Sequence, residues 1–179
     1  MRFFILLVAL GVSGCSFTPM MQASNKAEWH RETISSVAII YIASKLGTDI
    51  NYISDEHFSK IDDAFITAGV KTDLYLFSGM DLNGEQKIQY YSSKNDYTLI
   101  VDPIARTKGD RQDITYQLNL LDNQTNKKVW IGTLWVPWGW TDSVYTRFDE
   151  MGALIVKRLM VDGLIDSSNP SSSSNKQTI

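Results

Sequence analysis

From about Asp142 to Asp162, apolar residues recur at helical spacing: Val144, Phe148, Met151, Ile155 and Leu159. A helix turns once in 3.6 residues, so these five side chains form one stripe along it. Thr141 or Asp142 suits the cap ahead of the stripe, and Gly163 suits the left-handed residue that ends it. A stripe of this length must be buried against another layer, and most of the preceding chain reads as strands. The constraint is a helix laid on a sheet.

The strands follow from their patterning. Val37 to Ala43 is almost wholly apolar, as expected of a strand covered on both faces. Ser54 or Asp55 can cap a second helix, in which Phe58, Ile61, Phe65 and Ala68 share a face and Gly69 is the stop. Asp73 to Ser78 is a strand, and Asn83-Gly84 predicts a hairpin turn into another at Lys87 to Tyr91. Tyr97 to Ala105 comes next, with Pro103 marking an edge or a bulge near its end. Thr115 to Leu121 alternates: Tyr116, Leu118 and Leu120 belong to a core face, Thr115, Gln117 and Asn119 to a wet one. Its partner is Val129 to Val136, across the polar loop Asp122 to Lys128. The order β-α-β-β-β-β-β-α predicts an α+β fold, an antiparallel or mixed sheet of five or six strands with both helices on one face. The short connections of the long meander argue against parallel pairing within it.

The N-terminus obeys a different rule. After Arg2, Phe3 to Val12 is a run without charge, half the roughly twenty residues that cross a bilayer. Such a run fits the core of an export signal. Val12-Ser13-Gly14-Cys15 then resembles the lipobox of bacterial lipoproteins: an aliphatic residue, two small ones and a cysteine. The resemblance implies diacylglyceryl transfer to the Cys15 sulfur and cleavage ahead of Cys15. Ser16, where that family's sorting pattern would place an aspartate for inner-membrane retention, points to the outer membrane. Cys15 is the one cysteine in the chain, so an intramolecular disulfide and a multi-thiolate zinc site are both excluded.

These readings divide the chain into a signal peptide (1–14), a lipidated N-terminus and flexible tether (15–33), one α+β domain (34–165) and a Ser-rich tail (166–179). The tether would span roughly 25 Å root-mean-square. The tail has too little apolar surface to offset chain entropy and is expected to be disordered. Within the domain, the stretch Tyr116 to Gly132 and the helix after it resemble small α+β domains of envelope lipoproteins, the TolB N-terminal-like and penicillin-binding-protein-activator-like groups. That resemblance implies an assembly or scaffold role.

Composition narrows the functional classes. A net charge of -3, with no basic run, carries no electrostatic footprint for nucleic acid. His57 beside Asp55 and Glu56 is a poor metal set, because consecutive helical positions diverge. The carboxylate pairs Asp62-Asp63 and Asp149-Glu150 sit off the apolar stripes and read as solvated faces. No nucleophile elbow and no phosphate loop is present. No metal, cofactor or catalytic set is therefore predicted.

The unusual feature is Trp135-Val-Pro-Trp138-Gly-Trp140, three indoles in six residues around a strand end. One reading has two of them plugging the core. The other makes Trp135, Trp138 and Trp140, with Tyr90 and Tyr91, an exposed binding surface, because tryptophan buries much area at little entropic cost. The expected protein is thus a lipid-anchored binder or scaffold facing the periplasm, with envelope proteins as partners and a homo-oligomer compatible with the sequence. The alternative is a binder of glycan or lipid through an aromatic surface or groove, which calls for a pocket of several hundred Å³.

Overall fold

The computed structural model describes residues 18–28, 30, 32–43, 55–78, 81–107, 112–138 and 144–166. In chain order these form β1 (Met20–Lys26), β2 (Ser36–Ile42), α1 (Asp55–Thr67), β3 (Lys71–Phe77), α2 (Gly84–Ser93), β4 (Tyr97–Arg106), β5 (Gln112–Asp122), β6 (Lys127–Trp138) and α3 (Val144–Val161). One six-stranded sheet has the order β1-β6-β5-β4-β2-β3. The strands β3, β2 and β4 are parallel, and the rest of the ladder is antiparallel. The architecture is the expected α+β class with a mixed sheet.

Parallel neighbours need a crossover, and each one here carries a helix. The connection from β2 to β3 holds α1, and the one from β3 back past β2 to β4 holds α2. The two crossovers run in opposite directions along the sheet. With the usual right-handed sense, that places α1 and α2 on opposite faces. Burial agrees: Phe58, Ile61 and Phe65 of α1 join the main core, while Ile88 and Tyr91 of α2 pack on Ala38, Ile40 and Tyr75.

The main core lies between one sheet face and the α1–α3 pair. The predicted stripe of α3 is there, with Phe148, Met151, Ile155 and Leu159 all fully buried. Gly152 lets the two helices meet closely, since a Cβ there would lie 2.9 Å from the Ile61 Cα. Both predicted glycine stops adopt the left-handed conformation, Gly69 at φ 81° and Gly163 at φ 69°. Under α3, Trp130 Nε1 donates to Asp162 Oδ2 at 2.7 Å. Its ring lies where a Cβ on Gly132 would be, 2.4 Å away, so only glycine fits on that rung.

Three expectations are corrected. Lys87 to Tyr91 is helix, not the second strand of a hairpin. Asn83-Gly84 leads into α2, where Ile88 and Tyr91, three apart, find an apolar seat on β2 and β3. The expected meander is consequently shorter: β4, β5 and β6 pair antiparallel as expected, but β3 joins the sheet through β2 and not next to β4, because the segment before β4 is a crossover. Part of the expected tether is ordered: residues 20–26 form β1, antiparallel to β6 at the sheet edge, and His30 is buried. The anticipated irregularity near Pro103 is present as a register shift between Pro103 and Ala105, in a strand that is interior to the sheet.

Candidate functional site

On the sheet face that carries α2, the described elements cover only part of the width. Following the register from Ile40 through Ile100 and Asn119 to Ile131 shows which side chains share this face. By the same ladder Asp102, Gln117 and Thr133 form one row, and Thr115 and Trp135 another. Beyond α2 no described element covers them. Ile131 is exposed; Thr115, Gln117, Asn119, Thr133 and Trp135 are half-buried. Asn119 Oδ1 is shielded from solvent and has no hydrogen-bond partner among the described residues.

This layout divides the aromatic surface expected from sequence. Trp135 and the two tyrosines lie toward the same side of the sheet, but Trp135 belongs to β6 while Tyr91 stacks on Tyr75 of β3. Four strand spacings separate β6 from β3, about 19 Å. Trp135 has Met20 of edge strand β1 as its register partner. Trp140 and the side chain of Trp138 lie outside the described residues, as do Cys15 and the leader.

The tyrosines belong to a more elaborate cluster at the other edge. Tyr75 and Tyr91 stack with ring centres 5.5 Å apart and 18° between planes. Tyr90 meets Tyr91 edge-on at 5.4 Å and carries the Lys94 ammonium 3.9 Å over its ring. The Tyr75 hydroxyl donates to Asp81 Oδ2 at 2.6 Å, and Lys87 Nζ donates to the same oxygen at 2.8 Å. The Asn83 amide donates to Asp81 Oδ1 at 3.1 Å, fixing the turn into α2. Lys87, Tyr75 and the Asn83 amide hold the Asp81 carboxyl down at about 2. Burial, then the Asp81 contact, pushes the Tyr75 phenol up to about 12.

Beside this cluster a half-open groove of about 470 Å³ straddles the β3 edge. Its floor is Leu74, Tyr75 and Leu76. Asp55 and Phe58, at the start of α1, form one wall, and Asp81, Lys87 and Tyr91 form the other. The chain leaves β2 toward one face and β3 toward the other, so the groove is flanked by the start of α1 on one side and by the turn into α2 on the other. Of the residues singled out from sequence for binding, it contains Tyr91. Phe58, Leu74, Tyr75, Asp81 and Lys87 were not anticipated, because the three segments that bring them together meet only once α2 is a helix.

The polar residues considered for chemistry have ordinary partners. Asp62 accepts a hydrogen bond from Thr72 and is half-buried, not part of a freely solvated pair; burial raises its carboxyl. Asp63 pairs with Lys60 at 3.0 Å, and Glu150 with Arg147 at 2.8 Å. His30 Nε2 sits 3.3 Å from the Tyr97 hydroxyl. Among the described residues no three His, Cys, Asp or Glu side chains are grouped to hold a metal. A smaller polar hollow of about 220 Å³ lies beside Asp96 and Asp122. Its acids are engaged by Ser35, Ser36 and the Gln124 and Thr125 amides.

No protein-family model matches the chain, and no curated protein matches it significantly. Among solved structures it is similar to the PelC dodecamer of Paraburkholderia phytofirmans, at 16% identity and a TM-score of 0.48 over 79% of this chain and 94% of that one. It is also similar to the lipoprotein GNA1162 of Neisseria meningitidis, at 13% identity and a TM-score of 0.40 over 71% of this chain and 99% of that one.

Proposed function

We propose that this protein is a lipid-anchored component of the bacterial cell envelope that works by binding, holding a partner protein against the open face of its sheet. The anchor is Cys15, in the Val12-Ser13-Gly14-Cys15 motif, and the folded domain is carried on the periplasmic side, with the outer membrane favoured by Ser16. The observation that carries the binding role is the face over β4, β5 and β6, on which no helix or strand among the described residues packs beyond α2. It mixes aliphatic and indole area (Ile131, Trp135) with the amide and hydroxyl groups of Gln117, Asn119 and Thr133. Interfaces of non-obligate partners have this mixed character, with apolar anchors among satisfied polar groups. Tethering raises the local concentration of the domain at the membrane, so a modest intrinsic affinity is sufficient. A scaffold or accessory subunit fits this reading better than a catalyst, and the same face is available to a second copy of the chain.

The test is site-specific photocrosslinking in intact cells. A photoreactive residue at Thr133 should yield discrete protein adducts, and one at the exposed Asp149 on α3 should yield far fewer. Equal labelling from the two positions would remove the sheet face from the reading. Cys15→Ser should release the domain from the membrane fraction and abolish the Thr133 adducts. Membrane retention of that variant would overturn the anchor.

A further inference from the structure

We propose that the outer edge of β3 is a second binding site, one that receives an extended polypeptide as an added strand. The hydrogen bonding of β3 defines which groups are free to do this. The Lys71 amide donates to Ser35 O, and Phe77 O accepts from the Ala43 amide. Main-chain groups alternate sides along a strand, so Lys71, Asp73, Tyr75 and Phe77 pair with β2. Thr72, Leu74 and Leu76 therefore present their N–H and C=O groups outward. β3 is the terminal strand of the sheet, with no strand among the described residues on that side.

A bare edge would not be enough, and this one has walls. The groove of about 470 Å³ runs over Leu74 and Leu76 and is bounded on both faces of the sheet. Side chains of an added strand alternate between those faces. On one they would meet Phe58, with the stems of Leu74 and Leu76; on the other they would meet Tyr91 and Tyr75. The outward rungs at Leu74 and Leu76 lie about 7 Å apart, which suits a segment of some four to six residues. Lys87 is already bound to Asp81 across the groove mouth, leaving Asp55 as the carboxylate on the α1 side. The occupant is accordingly an extended peptide with aliphatic or aromatic residues at alternate positions and a basic residue at one end. Backbone groups supply the affinity and the two walls the selectivity. A glycan would not use the outward rungs, and its usual stacking partner is compromised here, since Tyr75 and Tyr91 cover one another.

The full-length chain in lipid nanodiscs provides the test, read by residue-resolved amide exchange. The probe is a pool of blocked hexapeptides with Val, Leu, Ile or Phe at alternate positions, Thr between them and a terminal Lys. At millimolar pool concentration the Leu74 and Leu76 amides should exchange at least tenfold more slowly, with the β1 edge unchanged. The same pool N-methylated at alternate amides should lose that protection, and Asp55→Asn should weaken it severalfold for the Lys-ended pool. No protection from the pool would overturn the proposal. So would equal protection from the N-methylated pool, or protection seen with chito-oligosaccharide in place of peptide. The readout is independent of crosslinking at Thr133, so either site can fail alone.

Discussion

The two halves of the sheet solve the same problem differently. In the parallel half β2 lies between β3 and β4 with helices on both faces, and Val37 to Tyr41 are all buried. In the antiparallel half the described elements cover β5 on one face, and Ile114, Tyr116, Leu118 and Leu120 are buried while the residues between them are half-buried. A continuous apolar run and a strict alternation are the sequence images of these two situations. The difference also says where binding can occur. Among the described elements, the doubly covered half leaves its β3 edge unpaired, whereas the other half carries helices on one face.

The comparison breaks first if the main core is not shared by both halves. Phe148 contacts Tyr41 of the parallel half at a ring distance of 5.8 Å and Phe58 of α1 at 6.4 Å. Phe148→Ala should therefore cost about 3–5 kcal/mol and unfold both halves together. Urea melts followed by far-ultraviolet dichroism and by tryptophan emission should coincide. Separated transitions would mean that the halves are independent units.

Alkaline unfolding tests the two faces of the parallel half against each other. Tyr41, in the main core with its hydroxyl 3.0 Å from that of Tyr116, is raised to about 12 by burial, and so is Tyr75 beneath α2. An unfolded tyrosine titrates near 10, so between pH 10 and 12 the folded chain binds more protons than the unfolded one. Stability then falls as pH rises through that window, by on the order of 3 kcal/mol for Tyr41 at its upper end and by less for Tyr75, which lines the open groove and is screened by solvent. Tyr41→Phe and Tyr75→Phe should each move the midpoint of alkaline unfolding upward, as followed by dichroism. A shift from Tyr41 alone would show that α2 detaches before the core opens.

Much of this was legible in the residues and some was not, for physical reasons. The stripes of α1 and α3 and the alternation of β5 report burial directly, because each element faces a single core. The helix α2 was obscured by Asn83-Gly84, a strong local hairpin signal that tertiary packing overrides through Ile88 and Tyr91. The strand β1 has no period of its own: its Met-Met-Gln-Ala-Ser-Asn-Lys sequence becomes a strand because β6 offers an edge. The groove was illegible because Phe58, Leu74 and Asp81 come from three segments that meet only in the fold. The Trp135 and Tyr91 surfaces looked like one patch because chain proximity to turns says nothing about how many strands intervene.

Smaller effects sharpen the picture at individual rungs. Gly132→Ala would drive a methyl into the Trp130 ring and strain its bond to Asp162, costing about 1–3 kcal/mol. A red shift of tryptophan emission should accompany that loss. Asp81 gives the acid counterpart of the tyrosine test. Its folded value near 2 lies below the unfolded value near 3.9, so its contribution is full above about pH 4 and disappears as pH falls toward 2. In Asp81→Asn the acid limb of the stability profile should flatten over that window, and amide exchange in α2 should speed up at neutral pH. An unchanged acid limb would separate the Asp81 contacts from the folding of α2.

The smallest predicted effect carries the most functional weight. Gln117 lies in the middle of the open face, with Asp102 and Thr133 as register neighbours on the flanking strands. Gln117 is half-buried and lies outside both apolar clusters, so Gln117→Ala should change the urea midpoint by no more than the equivalent of about 0.5 kcal/mol. A face retained for binding would nevertheless register the change, because removing a side-chain amide strands its partner's group in the interface. Thr133 crosslinks should then fall severalfold in cells at unchanged protein level and melting behaviour. Loss of stability without loss of crosslinks would assign this face to packing, and the singly covered half of the sheet would no longer differ in purpose from the doubly covered one.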